Sequence, residues 1–149
     1  MARIKRLRRY PCGGWFGRGT HPRFERTDQG EDRSVKRGVY VRAPGDGLVV
    51  NHLSDAPFPN GFGSPYAIVK ITSGRFAVGD GLWYIGHANS EVLPVGRRFK
   101  FGDRLARTDN GFSADQGWVE IGKCVNGLPG PMGTGDRYHR LFRAVWKRR

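Results

Sequence analysis

The chain has 149 residues, which suits one domain with one core and leaves no room for a two-domain enzyme. Lys and Arg number 26 against 13 Asp and Glu, for a net charge of +13, and the excess sits at the two ends. Residues 1–26 hold eight basic and one acidic side chain and residues 137–149 hold six basic and none acidic, so residues 27–136, with 12 of each sign, are neutral.

The first segment, residues 1–26, reads as an extended basic arm. Its start has the charge of a signal-peptide leader, but Pro11, Gly13, Gly14 and Arg18 stand where an apolar stretch should follow, so no export signal is expected. Arg6, Arg8 and Arg9 are suited to acidic rims or phosphates, and Trp15 and Phe16 to pockets on a partner. These five residues are therefore candidates for partner binding. Aromatic and basic residues interleave here in a way that also suits nucleic acid, although no nucleic-acid motif is present.

Residues 27–125 read as an all-β domain. Gly accounts for 23 of the 149 residues and is spread among short apolar alternations, which predicts tight turns and short strands. The strand candidates are Gly38-Val-Tyr-Val-Arg42, Gly47-Leu-Val-Val-Asn51, Tyr66-Ala-Ile-Val-Lys-Ile71, Leu82-Trp-Tyr-Ile85, Arg98-Phe-Lys-Phe101, Arg104-Leu-Ala106 and Trp118-Val-Glu-Ile121. Alternation puts Phe99 and Phe101 on one face. Residues 54–65 contain three prolines and two glycines and read as a loop. The longest apolar runs, Tyr66 to Val69 and Leu82 to Ile85, span four residues, far short of the ~20 that cross a bilayer, so membrane insertion is not expected.

Residues 126–149 read as a Gly/Pro-rich loop followed by a basic amphipathic helix that starts at an Asp136 cap. Tyr138, Leu141, Phe142 and Val145 recur at i, i+3, i+4 and i+7 and form an apolar stripe. That stripe docks either on the chain's own sheet or on a neighbouring subunit. Leu141, Phe142 and Trp146 are the candidate contacts to a partner. Cys12 and Cys124 lack CxxC spacing and fit either free thiols or one disulfide.

Three clusters could carry chemistry: Arg26-Thr-Asp28-Gln-Gly30-Glu-Asp32, Gly86-His87 at a strand end, and Trp118-Val-Glu120, whose spacing puts both outer side chains on one strand face. With Ala43-Pro-Gly-Asp-Gly47-Leu-Val-Val, Gly61-Phe-Gly63, Ile68-Val-Lys-Ile71 and Val95-Gly-Arg-Arg-Phe-Lys-Phe-Gly102-Asp-Arg-Leu105 in the same order, residues 26 to 122 resemble the lysostaphin-type zinc peptidoglycan endopeptidases. The variant opening is similar to a degenerate branch found in actinobacterial phages and their hosts. The resemblance implies a mainly antiparallel, barrel-like sandwich.

It also places Asp28, Asp32 and Glu120 where the family has its zinc ligands. His87 falls on an active-site histidine and Trp118 on the catalytic histidine of H-x-H. Only Asp32 and His87 keep the family's residue type. No catalytic residue is therefore expected, His87 and Trp118 being relics. Asp28, Asp32 and Glu120 suit a non-zinc divalent cation better than zinc, if a cofactor is held at all. Should the three carboxylates converge, a cation, an arginine such as Arg26 or Arg33, or raised pKa values must neutralise them.

The expected function is a non-hydrolytic, peptidase-like component of a phage virion, at the tail, either structural or in contact with the cell wall. Such a protein is made in the host cytoplasm and joins an oligomeric assembly with other virion proteins; peptidoglycan or an anionic wall polymer is a further partner. An active metal-dependent peptidoglycan endopeptidase is the alternative, and a nucleic-acid-associated virion protein comes third.

Overall fold

The computed structural model describes residues 15–16, 22–54, 61–109 and 113–146, the side chains of 144–146 excepted. In chain order these form β1 (Arg23–Thr27), β2 (Glu31–Lys36), β3 (Tyr40–Arg42), β4 (Gly47–Leu53), β5 (Tyr66–Ile71), β6 (Leu82–Gly86), β7 (Arg98–Phe99), β8 (Arg104–Arg107), β9 (Gln116–Val125), β10 (Leu128–Pro129) and α1 (Thr134–Trp146). The larger sheet runs β1-β2-β9-β6-β5-β4-β7, with β10 on β9, and β3 pairs with β8 in a second, two-stranded sheet. Every pairing is antiparallel, so the protein is all-β with one helix. Among the described residues no helix is long and apolar enough to cross a membrane.

Side-chain alternation divides the larger sheet into two faces. On one, Ala67, Val69 and Ile71 of β5, Trp83 and Ile85 of β6, and Val119 and Ile121 of β9 join the main core with Val41, Leu105 and Ala106 of the small sheet and Phe142 of α1. On the other, Tyr66, Ile68, Tyr84 and Cys124 pack with Phe62 in a smaller cluster. The small sheet and the helix thus cover one face, a sandwich-like layering, and the opposite face carries the polar cluster described below. Cys124 is a buried, free thiol, and Cys12 lies outside the described residues.

All seven predicted strands form, but β1 and β2 depart from the expectation. β1 is an exposed edge strand, and β2, reading Glu-Asp-Arg-Ser-Val-Lys, buries Glu31, Asp32 and Arg33. Neither shows apolar alternation, because β2 pairs its buried charges instead of burying hydrocarbon. The expected arm boundary at residue 26 therefore falls inside β1. β7 ends at Phe99, so Phe99 is buried whereas Phe101, in the following turn, is 41% exposed; the two rings do not share a face. The helix begins at Thr134, and β10 lies within the expected loop.

The largest correction concerns Trp15 and Phe16. Expected to fill a partner's pockets, they are 0% and 1% exposed in the chain's own core. Trp15 stands edge-on to Phe76 at 5.5 Å and Trp83 at 6.2 Å, and Phe16 bridges to Val41. Burying rings of this size outweighs the ordering of a short stretch of backbone. Phe142 is also internal, at 5.7 Å from Phe76 and 5.8 Å from Trp83, and Leu141 packs against the same core, so α1 docks on its own sheet. Arg6, Arg8, Arg9 and the Trp146 side chain lie outside the described residues.

Candidate functional site

β2, β9 and β6 are adjacent, and their register sets Asp32 opposite Glu120 and Glu120 opposite Gly86. Directly opposed residues have Cβ atoms about 5 Å apart, so the pairing forces two carboxylates together on one face. His87 follows Gly86 at the end of β6 with φ 63°, a left-handed conformation uncommon for a residue with a side chain. Its backbone N–H donates to the Phe62 carbonyl, and the Phe62 ring stands edge-on to the imidazole at 5.8 Å. This turn brings His87 Nε2 to 3.6 Å from Glu120 Oε2 and 3.9 Å from Asp32 Oδ1.

Each carboxylate is also held from its other oxygen. The Tyr84 hydroxyl donates to Glu120 Oε1, and Arg26 Nε donates to Asp32 Oδ2 at 2.9 Å. The same guanidinium reaches Asp28 Oδ2 at 3.2 Å. A register shift between Phe24 and Arg26 in β1 turns Arg26 toward this face. Asp32 Oδ1 is buried without a hydrogen-bond partner. Burial, reinforced by the neighbouring Glu120 charge and opposed by Arg26, pushes the Asp32 carboxyl up to about 6. Burial and Glu120 likewise hold the Tyr84 hydroxyl well above its ordinary range, so it stays a donor at neutral pH.

The expected set of Asp28, Asp32 and Glu120 is thus brought together only in part. Asp32 and Glu120 converge with His87, and one ligand atom from each lies within 4.8 Å of the others. Asp28 is tied to Arg26 and accepts from its neighbour Gln29 N at 2.6 Å. One imidazole nitrogen and two carboxylate oxygens are poor in the nitrogen and sulfur donors zinc favours and suit a harder divalent cation. Of the two arginines weighed as counter-charges, Arg26 serves this face. Arg33 pairs with Glu31 on the opposite one, where His139 of α1 also meets Glu31 at 3.1 Å.

Trp118 packs edge-on against His87 with ring centroids 5.4 Å apart. One functional neighbour, Tyr84, was not singled out from the sequence. Tyr84 carried a signal, since alternation with Trp83 puts it on the opposite face, but an apolar strand gave no hint that its hydroxyl meets a carboxylate. Arg26 reaches Asp32 only because of the irregularity in β1. No protein-family model and no curated protein matches the chain.

Proposed function

We propose that the protein is a non-hydrolytic counterpart of the lysostaphin-type endopeptidases, serving as a structural or wall-contacting component of a phage particle, at its tail. The contact between Trp118 and His87 carries the non-hydrolytic part. Where the resemblance implies a catalytic histidine, the indole N–H can donate but cannot accept a proton, so no general base stands beside His87 at that position. Arg26 and Tyr84 support the same reading, since each holds one carboxylate oxygen of the pair from within the chain. The particle context rests on the order of the sequence motifs and on the cationic ends.

Incubation with actinobacterial cell walls, with zinc or manganese added, is expected to release no soluble muropeptides. Turnover that Asp32→Ala abolishes would overturn the proposal.

One observation favours the second reading, a metal-dependent peptidoglycan endopeptidase. Asp32 Oδ1, Glu120 Oε2 and His87 Nε2 face one another, and Asp32 Oδ1 is buried without a donor. A divalent cation there would supply the missing positive charge and polarise a carbonyl or water. A manganese titration by calorimetry paired with the cell-wall assay distinguishes the readings, with saturable 1:1 binding and muropeptide release both lost in Glu120→Gln supporting the second.

A further inference from the structure

Asp32, Glu120 and His87 turn acceptor atoms toward one another with no donor between them. Tyr84 holds Glu120 Oε1 and Arg26 holds Asp32 Oδ2, so one oxygen of each carboxylate is already used. The other two, Glu120 Oε2 and Asp32 Oδ1, lie 3.6 Å and 3.9 Å from His87 Nε2, both longer than a hydrogen bond. Asp32 is 3% exposed, and its Oδ1 has no hydrogen-bond partner. A buried acceptor left in this state costs free energy that a donor from a ligand would recover.

The spacing fits one kind of donor. Three atoms within 4.8 Å of one another leave a position from which each lies within about 2.8 Å, the length of a charge-assisted N–H···O bond. A primary ammonium group has three N–H donors and no acceptor, and an imidazole with its proton on Nδ1 offers Nε2 as the third acceptor. A hard divalent cation asks for about six oxygens. Here the second oxygen of each carboxylate is engaged, and Trp118, beside the imidazole, brings an indole in place of an oxygen.

The same indole suits the rest of such a ligand. Trp118 is partly exposed and packs edge-on to His87, whose side chain, at 12% exposure, is the most accessible of the trio. A ligand entering past His87 would set its charged end among the three acceptors and lay its aliphatic stem along Trp118. Aromatic rings attract such cationic groups through the π-face.

We propose that Asp32, Glu120 and His87 form a recognition site for a primary ammonium group carried on an aliphatic stem. This rests on the non-hydrolytic reading, since a metal ion held by the same atoms would exclude the amine. A wall peptide offers the group from two sources, an amine on a side chain and a free α-amino end.

The test is an NMR titration of the full-length chain, its histidine ring nitrogens isotopically labelled, with propylammonium chloride at pH 7.5 in EDTA. The His87 ring nitrogens should shift saturably, and Asp32→Asn and Glu120→Gln should each weaken binding by about tenfold or more. Circular dichroism confirms that both variants fold. Independently of any variant, propyltrimethylammonium, which keeps the charge and the stem but has no N–H, should leave His87 unshifted. Equal binding of propyltrimethylammonium, a proton on His87 Nε2 in the free chain, or absence of saturation would overturn the proposal. Nα-acetyl-lysine amide and alanine amide tell the two sources apart, the tighter ligand marking the side-chain or the terminal amine. Muropeptide release in the cell-wall assay would overturn the non-hydrolytic reading and this proposal with it, whereas failure of amine binding without release overturns this proposal alone.

Discussion

Replacing Asp32 by Asn removes a buried charge while keeping the shape of the side chain. The Asp32 carboxyl, ordinarily near 3.8, stands at about 6 in the folded protein, with burial as the main cause and Glu120 second. The folded chain therefore holds this proton more tightly than the unfolded chain does. Its contribution to stability is full below pH 3.8 and is lost as pH rises through about 6. A displacement of about two units corresponds to about 3 kcal/mol at 1.36 kcal/mol per unit. The Asn carbonyl can still accept from Arg26, and the pairing with that largely exposed guanidinium is worth at most about 1 kcal/mol.

Asp32→Asn is therefore expected to be more stable than wild type by about 2–3 kcal/mol at pH 7.5, and equal to it within about 1 kcal/mol near pH 4. Urea unfolding followed by tryptophan fluorescence at both pH values, with EDTA present, gives the comparison. Equal or lower stability of the variant at pH 7.5 would refute the placement of an uncompensated carboxylate at this site. Repeating the pH 7.5 series with millimolar manganese in place of EDTA adds the metal dimension. A gain in wild type that Asp32→Asn lacks would mark cation binding at the trio.

Trp15→Ala should destabilise the isolated chain by about 3–5 kcal/mol, measured by chemical unfolding, because the ring is buried against Phe76 and Trp83; a residue that served only a partner would leave this value unchanged. Tyr84→Phe deprives buried Glu120 Oε1 of its donor and should cost about 1–3 kcal/mol at pH 7.5 by the same assay. Gly86→Ala puts a methyl group 2.6 Å from Phe62 Cβ and should cost about 1–3 kcal/mol, and because Phe62 also touches His87, the imidazole resonances should shift in NMR spectra. Burial pushes the Cys124 thiol up to about 12, so in a Cys12→Ser background it should resist a thiol reagent at pH 8 until the chain is unfolded.

The strands whose cores are hydrocarbon were legible from local pattern alone. Tyr66–Ile71 is the clearest, its bounds the same in sequence and structure, because β-branched and aromatic residues between turn formers have few other ways to bury their surface. The stripe of α1 was equally legible, since period 3.6 is a local property. Asp32, His87, Trp118 and Glu120 could be singled out because the order and spacing of residues are properties of the linear chain. Tertiary structure alone decided which of them meet. Register across β2, β9 and β6 put His87, rather than Asp28, beside Asp32 and Glu120, and the irregularity in β1 delivered Arg26. The same holds for Trp15 and Phe16, whose composition fits a partner's pocket and their own core equally well. Local pattern records which side chains are apolar, whereas what covers them depends on contacts between residues far apart in sequence, and here Trp83 and Phe76 supplied that cover.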